Sequence, residues 1–302
     1  MTPLGGVVYE SDPETRDHVV EQLTRSGRPV TSKGNLHLVP GHAVTSYWHR
    51  NVWLNPMTFE DTSVSATADT LRSLGALWCP RPQDKFRRHA LVQEKLPRFR
   101  PKPRRFPFLV PEGRLGAWAL QDGAVWASAE TRSPFPGGDP HLEENKIDPP
   151  SSAYLKLQEA LLLLRSWPQP GQRCLDAGSC PGGWTWVLAE TGAQVRSVDR
   201  SPLDPRLLTR PNVAFQTGNA FALRPEDTEA LDWLCSDVVC YPAKLWSWLE
   251  PWIESGKAKR LIITIKMQGP RPDWETLDRF AAVPGSQLVH LHHNKHELTW
   301  LL

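Results

Sequence analysis

Residues 174–186, CLDAGSCPGGWTW, decide the fold of this chain. The segment runs from an apolar strand through a glycine-rich turn into the start of a helix. Its spacing, Gly178-x-x-x-Gly182-Gly183, differs from the G-x-G-x-x-G pattern of dinucleotide-binding enzymes. A strand, a tight turn and a helix in this order predict the first repeat of a parallel α/β sheet.

The sequence on both sides of this segment continues the same alternation. An amphipathic helix with a serine N-cap, SSAYLKLQEALLLLRSW, is predicted before it. Strands separated by helical patterns follow, in the order QVRSVD, NVAFQTG, LDWLCSD and RLIITIK. The last two strands, SQLVHLHH and HELTWLL, are too close together for a crossover and are expected to pair as a hairpin. We therefore predict a doubly wound parallel sheet with an antiparallel C-terminal hairpin.

The bulk composition excludes several classes of protein. The chain has 302 residues and a formal net charge of +2, so no global charge commits it to nucleic acid or membrane. Its five cysteines form no C-x-x-C pair and are typical of reduced thiols. The N-terminus lacks an apolar signal core, and no apolar run of about 18 residues occurs. We expect a cytoplasmic protein without a membrane segment, and no protein partner is evident.

The N-terminal part is predicted to be a smaller α+β region. It covers residues 1–132, and a linker at residues 133–150 joins it to the α/β domain at residues 151–302. Strands are expected in GGVVYE and GNLHLV, and helices in SDPETRDHVVEQLTRSG and from Ser65 to Leu77. The clearest feature is a hairpin, GRLGAWALQDGAVWASAE, which turns at Asp122-Gly123.

Residues 81–105, which we call the basic segment, carry most of the local positive charge. They hold ten Lys and Arg against two acidic residues. We expect a helix from Gln83 to Lys95, followed by extended chain in PRFRPKPRRFP, where prolines exclude a helix. Aromatic rings at Phe99, Phe106 and Phe108 interleave with the cations, a pattern that favours contact with RNA phosphates and bases. The alternative is a solvated charged face.

The glycine turn and its carboxylates predict a site for S-adenosylmethionine. Asp176 precedes the turn and can neutralise an ammonium group, and Asp199 ends the next strand, where a carboxylate accepts hydrogen bonds from a ribose diol. Asn219 follows the third strand and is placed to meet an adenine edge. The structural alternatives are a tight strand–helix turn, a helix cap and a loop turn. The predicted cofactor-binding residues are Asp176, Gly178, Ser179, Pro181, Gly182, Gly183, Trp184, Asp199, Asn219 and Asp237.

Four ionisable residues, among them Asp237, are predicted to meet at the same edge of the sheet. Asp237 and Lys266 end neighbouring strands, and ligands of open parallel sheets bind beyond the carboxyl ends of the strands. Glu297 begins the antiparallel last strand at that edge, and Lys156 lies in the first helix. Ionisable groups gathered in a cleft are costly unless they do chemistry, so we interpret the four as catalytic. The alternative for Lys266 is a side chain that snorkels to water.

The segments SSAYLKLQEAL, LDAGSCPGGWTW, SVDRSP, CSDVVCYPAK, IKMQ and HNKHELTW resemble the FtsJ-like RNA ribose 2′-O-methyltransferases. Within that group, the resemblance is strongest to the bacterial enzymes that methylate a cytidine of 23S ribosomal RNA. It runs from about Ser133 to Leu302, and the Lys-Asp-Lys-Glu tetrad of the family falls on Lys156, Asp237, Lys266 and Glu297. The resemblance implies a Rossmann-like class I methyltransferase sheet and methyl transfer from S-adenosylmethionine to a ribose 2′-hydroxyl.

Two departures from the family pattern affect the substrate more than the reaction. Asn219 occupies a position that is often Asp, and the N-terminal region is shorter than the family's THUMP-containing half. The alternatives are the same fold acting on tRNA, a protein or a small molecule, or a non-catalytic RNA-binding factor. His290 and His292 share one face of a predicted strand, but without a second cluster we expect a polar edge hairpin and no metal.

Overall fold

The structure is a computed structural model, and it describes residues 1–97, 101–110 and 113–302. The chain forms two compact units. The first contains Met1–Arg104 and Val110–His141, and the second contains Arg105–Leu109 and Leu142–Leu302. No helix in the described residues combines the length and the apolar character needed to cross a lipid bilayer.

The first unit contains two five-stranded sheets and three α-helices in its described residues. The sheet orders are β1-β6-β9-β8-β7 and β10-β5-β2-β4-β3. The elements are β1 (Thr2–Pro3), β2 (Gly6–Glu10), α1 (Arg16–Arg25), β3 (Thr31–Lys33), β4 (Leu36–Pro40), β5 (Asn51–Leu54), β6 (Met57–Glu60), α2 (Val64–Ser73), β7 (Leu77–Pro80), α3 (Phe86–Lys95), β8 (Leu115–Gln121), β9 (Ala124–Ser128) and β10 (Glu130–Thr131).

The hairpin of β8 and β9 is the best-determined feature of this unit from its sequence. Gln121 pairs with Ala124 across the turn, and Asp122 and Gly123 have φ angles of 51° and 84°. Two positive φ angles in a two-residue turn match the twist of the flanking strands, which confirms the predicted hairpin. Helices α2 and α3 contribute to a core cluster with this sheet, in which Trp118 is fully buried.

Other N-terminal predictions are correct for the element and wrong at the boundary. The predicted strands GGVVYE and GNLHLV are β2 and β4. The helix predicted from Ser65 to Leu77 ends at Ser73, because Gly75 adopts φ +68° and Leu77 already begins β7. Helix α3 begins at Phe86, not at Gln83. The short strands β5 and β6 were missed, since strands of four residues depend on their partners more than on their own pattern.

The second unit contains one seven-stranded sheet in the order β13-β12-β11-β14-β15-β17-β16. Neighbouring strands from β13 to β15 run parallel, and β17 runs antiparallel to both β15 and β16. The elements are α4 (Tyr154–Leu163), β11 (Arg173–Ala177), α5 (Gly183–Glu190), β12 (Gln194–Asp199), α6 (Pro205–Leu208), β13 (Val213–Thr217), β14 (Leu231–Ser236), α7 (Pro242–Ser255), β15 (Ala258–Lys266), α8 (Trp274–Ala282), β16 (Gln287–Val289) and β17 (Glu297–Leu301).

The predicted fold class is confirmed by this sheet, a Rossmann-like arrangement with an antiparallel C-terminal hairpin. Leu261, Ile262, Ile263 and Ile265 of β15 are at most 1% exposed, as expected for a strand covered on both faces. One local prediction is wrong: α4 has Ala153 at its N-cap and no side-chain cap, so the predicted serine cap is not formed.

The strand order places the site. The order reverses between β11, which connects to β12 on one side, and β14, which lies on the other. At such a switch point the loops after neighbouring strands leave the sheet in opposite directions and open a crevice at the carboxyl ends.

Candidate active site

The tetrad residues meet in a single cluster. Lys156 Nζ lies 2.7 Å from Asp237 Oδ1, 2.8 Å from Asp237 Oδ2 and 3.0 Å from Glu297 Oε1. Lys266 Nζ lies 3.2 Å from Asp237 Oδ1. Asp237 therefore bridges the two lysines, and alternating charges offset the cost of withdrawing all four groups from water.

The sheet brings these residues together from distant parts of the sequence. Asp237 follows the last residue of β14, and Lys266 is the last residue of the neighbouring β15. Lys266 pairs directly with Glu297 across the antiparallel β15–β17 ladder. Lys156 reaches the cluster from α4, where its side chain is only 9% exposed.

The two lysines are not equivalent. The amine of Lys156 is held by two carboxylates, whereas the amine of Lys266 forms an ion pair only with Asp237 among the described residues, and its side chain is 20% exposed. Lys266 and Asp237 also line a cavity of about 260 Å³, together with Gly178, Ser179 and Asp199. Lys266 is thus the cation that faces the space in which a ligand would lie.

The glycines of the turn allow chain segments to pack closely around this cavity. Gly178 has φ +82°, and a Cβ there would lie 2.8 Å from Val238 Cβ. A Cβ at Gly182, which has φ +114°, would meet Leu207 in α6, and a Cβ at Gly183 would meet Ser151. At all three positions the nearest obstacle is another part of the chain, so the turn shapes the cavity by letting its walls approach.

Asp176 ends the apolar part of β11 in a fully buried position and lines the same cavity. Thr185 Oγ1 donates to Asp176 Oδ2 at 2.6 Å and lies 2.7 Å from Ser197 Oγ. Burial is the largest cause of a pKa raised from 3.8 to about 7, the Thr185 hydrogen bond opposes it, and the charge of Asp237 adds to it. A cationic partner stabilises the ionised form of such a carboxyl, so at neutral pH it would favour the charged state of Asp176.

The rest of the turn provides polar groups at the cavity wall. Ser179 is 5% exposed, and its Oγ has no hydrogen-bond partner within the described residues. Asp199 accepts hydrogen bonds from the backbone N–H of Cys180 at 3.0 Å and of Ser201 at 2.9 Å. Pro181 and Trp184 complete this wall.

Asn219 lies in a neighbouring cavity of about 220 Å³, which also has Gly178 and Asp199 in its lining. Its Oδ1 accepts from the backbone N–H of Phe221 at 3.2 Å, at the start of the 3-10 helix Ala220–Ala222. The loop turn considered as the alternative for Asn219 is therefore present, whereas the helix cap considered for Asp199 is not formed, because Asp204 caps α6. This turn coexists with the exposure of both residues to adjoining cavities.

Glu159 is a site residue that the sequence reasoning missed. It lies one helical turn after Lys156 in α4 and is 2% exposed. Its Oε1 accepts from His292 N–H at 2.7 Å, and its Oε2 contacts His293 N at 3.1 Å and His293 Nδ1 at 2.7 Å. The spacing to Lys156 was the available signal, since residues three positions apart share a helix face.

The histidine-rich turn, which we define as residues 290–296 between β16 and β17, therefore supports the site structurally. Glu159 holds His292 and His293, and His290 Nε2 lies 2.9 Å from the carbonyl oxygen of Lys295. In residues 1–97, 101–110 and 113–302 no group of three or more His, Cys, Asp or Glu has the arrangement of a metal site. The turn leads directly into Glu297, so Glu159 connects the element that carries Lys156 to the segment that carries Glu297.

Comparisons with known proteins identify chains that are similar in sequence. Residues 150–247 match the family model described as FtsJ-like methyltransferase, which confirms the resemblance over the part that holds the glycine turn, Lys156 and Asp237.

Two relatives and one solved structure illustrate the similarity. The protein named Ribosomal RNA large subunit methyltransferase M from Halorhodospira halophila is 34% identical over 219 residues, which are 70% of this chain and 61% of that protein. Its namesake from Xanthomonas euvesicatoria pv. vesicatoria is 34% identical over 197 residues, 60% of this chain and 55% of that protein. The chain thus spans about three fifths of the relatives that it matches. Aeropyrum pernix fibrillarin, solved with S-adenosyl-L-methionine, has a TM-score of 0.35 at 19% identity, covering 61% of this chain and 81% of that chain.

Proposed function

We propose that this chain is an S-adenosylmethionine-dependent methyltransferase that modifies a ribose 2′-hydroxyl of RNA. The observation that carries the proposal is the alternating cluster of Lys156, Asp237, Lys266 and Glu297 beside a glycine-rich turn at the carboxyl ends of a parallel sheet. A binding protein would have no use for a buried Lys156 and a partly buried Lys266 held by carboxylates, because such groups are costly to desolvate.

The cavity residues fit the cofactor. S-adenosylmethionine carries an ammonium group that suits the buried Asp176 carboxyl, and the unpartnered Ser179 Oγ offers a hydrogen bond in the same cavity. The ribose diol suits Asp199, whose oxygens have lone pairs beyond the two backbone bonds. The adenine suits the adjoining cavity at Asn219. When bound, the cofactor supplies an electrophilic methyl group on a sulfonium.

The residues of the chain would orient and deprotonate the attacking hydroxyl. A ribose hydroxyl is a weak acid, so its attack is helped by a group that fixes its direction and takes its proton. Lys266 is the proposed group, because it faces the cavity and has only one carboxylate contact within the described residues. Lys156 and Glu297 would hold Asp237 and the strand end in place, and so fix the direction of the Lys266 amine.

The RNA is proposed to contact the basic segment, and the structure divides the charges of that segment. Arg81 pairs with the buried Glu10, and Arg88 contacts Asp61 at 2.8 Å. Arg87, Lys95, Lys102 and Arg105 are exposed and make no ion pair with any described residue. Arg98, Phe99 and Arg100 lie outside the described residues. Phosphate contacts are therefore assigned to the exposed set.

The proposed substrate is large-subunit ribosomal RNA, on the names of the relatives that the chain matches. A cytoplasmic location is proposed with it. All five cysteines are free, as expected for a reducing compartment.

The test is methyl transfer from radiolabelled S-adenosylmethionine to ribosomal RNA from cells that lack the protein, followed by ribose mapping. A 2′-O-methyl group blocks alkaline hydrolysis at its own nucleotide, so one protected position is expected with the wild type and none with Lys266→Ala. Label on a base, on protein or on no RNA at all would contradict the proposal.

A further inference from the structure

The second unit contains another cavity, which shares no lining residue with the methyl-transfer cleft, the cavity of about 260 Å³ beside Lys266 and Asp237. This other cavity has a volume of about 400 Å³ and lies against α4 and α5. Four aromatic side chains line it in two edge-to-face pairs. Phe106 and Trp167 have ring centroids 6.0 Å apart, and Tyr154 and Trp186 have centroids 5.5 Å apart. Tyr154 and Trp186 are buried, whereas Phe106 and Trp167 are partly exposed and can stack on a flat ligand.

The cavity lining also includes a side-chain amide that has no hydrogen-bond partner in the described part of the chain. Gln158 is 6% exposed, and its side-chain amide makes no hydrogen bond with any described residue. The amide nitrogen and oxygen are accessible from the cavity, so a ligand or water there can supply their hydrogen bonds. A primary amide offers both donors and an acceptor, which is what the edge of a nucleobase requires.

Two charged residues in the cavity lining indicate which chemical groups the ligand carries. Arg105 and Glu143 line the cavity, are exposed and form no ion pair within the described part of the chain. Glu190, also in the lining, is neutralised by Arg210 at 2.6 Å. A guanidinium can meet a phosphate, and a carboxylate can accept only from a donor such as an exocyclic amino group. Cytosine, adenine and guanine carry that group with its two N–H donors, whereas uracil offers only its single N3–H.

We propose that this cavity binds an unpaired, amino-bearing nucleobase of the RNA substrate, outside the methyl-transfer cleft. The inference rests on the proposed function in that RNA is the substrate. Tyr154 and Gln158 lie two positions before and after Lys156 in α4, and residues two apart point about 200° away from one another around a helix. The base held here therefore belongs to a nucleotide flanking the target, not to the methylated one.

The experiment combines photocrosslinking with binding. Single-stranded RNAs carrying 5-iodocytidine or 5-iodouridine are irradiated with the full chain, and crosslinked peptides are identified by mass spectrometry. We expect crosslinks to Trp167 or Phe106, stronger for cytidine than for uridine. Trp167→Leu and Gln158→Leu should weaken binding of the labelled cytidine RNA about tenfold, in line with the loss of one stacked base. Trp167→Phe should retain most of it.

Trp246→Leu is the matched control, since Trp246 in α7 is partly exposed and lines neither this cavity nor the cleft. Equal binding by all variants, or crosslinks that avoid residues 105–107 and 167–169, would overturn the inference. The methylation assay with wild-type protein separates the two proposals. Normal methylation without effects of Trp167→Leu rejects the base pocket alone, whereas crosslinks at Trp167 without methylation reject the proposed reaction alone.

Discussion

The tetrad and the basic segment relate sequence to space in opposite ways. Lys156 is 81 positions from Asp237 and 141 from Glu297, yet its amine contacts both carboxylates. The basic segment has ten cations within residues 81–105, and neighbouring cations have different roles. Arg88 is bound to Asp61 inside the first unit, whereas Arg87 is exposed without an ion pair in the described residues.

The difference shows which kind of charge pattern predicts function. In the tetrad, Asp237 and Lys266 converge because neighbouring parallel strands present their carboxyl ends at one edge, and Glu297 joins them through the antiparallel ladder. In the basic segment, a helix sends successive side chains about 100° apart, so local charge density says little about which cations reach a partner. Experiments can test each half of this comparison.

The largest expected effect is at Lys266. Lys266→Ala and Lys266→Arg should both reduce single-turnover methyl transfer by about 100-fold or more, because arginine keeps the charge but cannot accept a proton. Binding of S-adenosylmethionine, measured by calorimetry, should persist in both. Lys259→Arg, at an exposed position of the same strand, is the control. Near-normal transfer by Lys266→Arg would show that the lysine only snorkels to water.

A smaller effect is expected at Glu159, a positioning residue. Glu159→Gln keeps the size of the side chain and removes the charge that holds His292 and His293. A shift of Glu297 should lower kcat about tenfold with little change in KM for RNA, because catalysis depends on sub-ångström placement. Glu275→Gln, in an exposed pair with Arg279, is the control. A fall in thermal stability with unchanged kcat would assign Glu159 to the scaffold alone.

In the basic segment, we expect the exposed cations to contribute to RNA binding and the paired cation Arg88 to contribute to stability. Replacing Arg87, Lys95 and Lys102 with Gln should make the negative slope of log K against log salt less steep by about 2 for single-stranded RNA. Each phosphate contact contributes about 0.7 to this slope. Arg88→Gln should leave the slope unchanged and lower the free energy of unfolding by about 1–3 kcal/mol, because Asp61 loses its partner. Equal salt slopes for wild type and the triple variant would show that these cations form a solvated surface that does not contact RNA.

The smallest effect concerns pH. The pKa of Asp176 is raised from 3.8 to about 7, so between these values the folded state binds more protons than the unfolded state. Stability relative to Asp176→Asn should therefore fall as pH rises from about 4 to 7 and stay level above it. A cationic ligand favours the ionised carboxyl, so S-adenosylmethionine should bind several-fold more tightly at pH 7.5 than at pH 5.5. Calorimetry at both values with no difference would place the ammonium elsewhere.

Much of the second unit could be predicted from its sequence, because the signals there are local. The apolar run of β15 and the glycine turn after β11 each specify an element from neighbouring residues. Strand ends then locate Asp237 and Lys266, and the short gap between β16 and β17 determines their antiparallel pairing. The turn at Asp122-Gly123 in the first unit is equally local.

Only the tertiary structure decided which atoms meet. Glu159 binds a turn more than 130 positions away, and Gly182 is opposed by Leu207. Gln158 lies in an aromatic cavity and has no hydrogen-bond partner among the described residues. Arg81 and Arg88 are paired, although the sequence places them among free cations. Periodicity records which face of an element is buried, but it contains no information on which distant side chain packs against that face. The packing of the folded chain determines these contacts, through steric fit and the free-energy cost of leaving a buried charge unpaired.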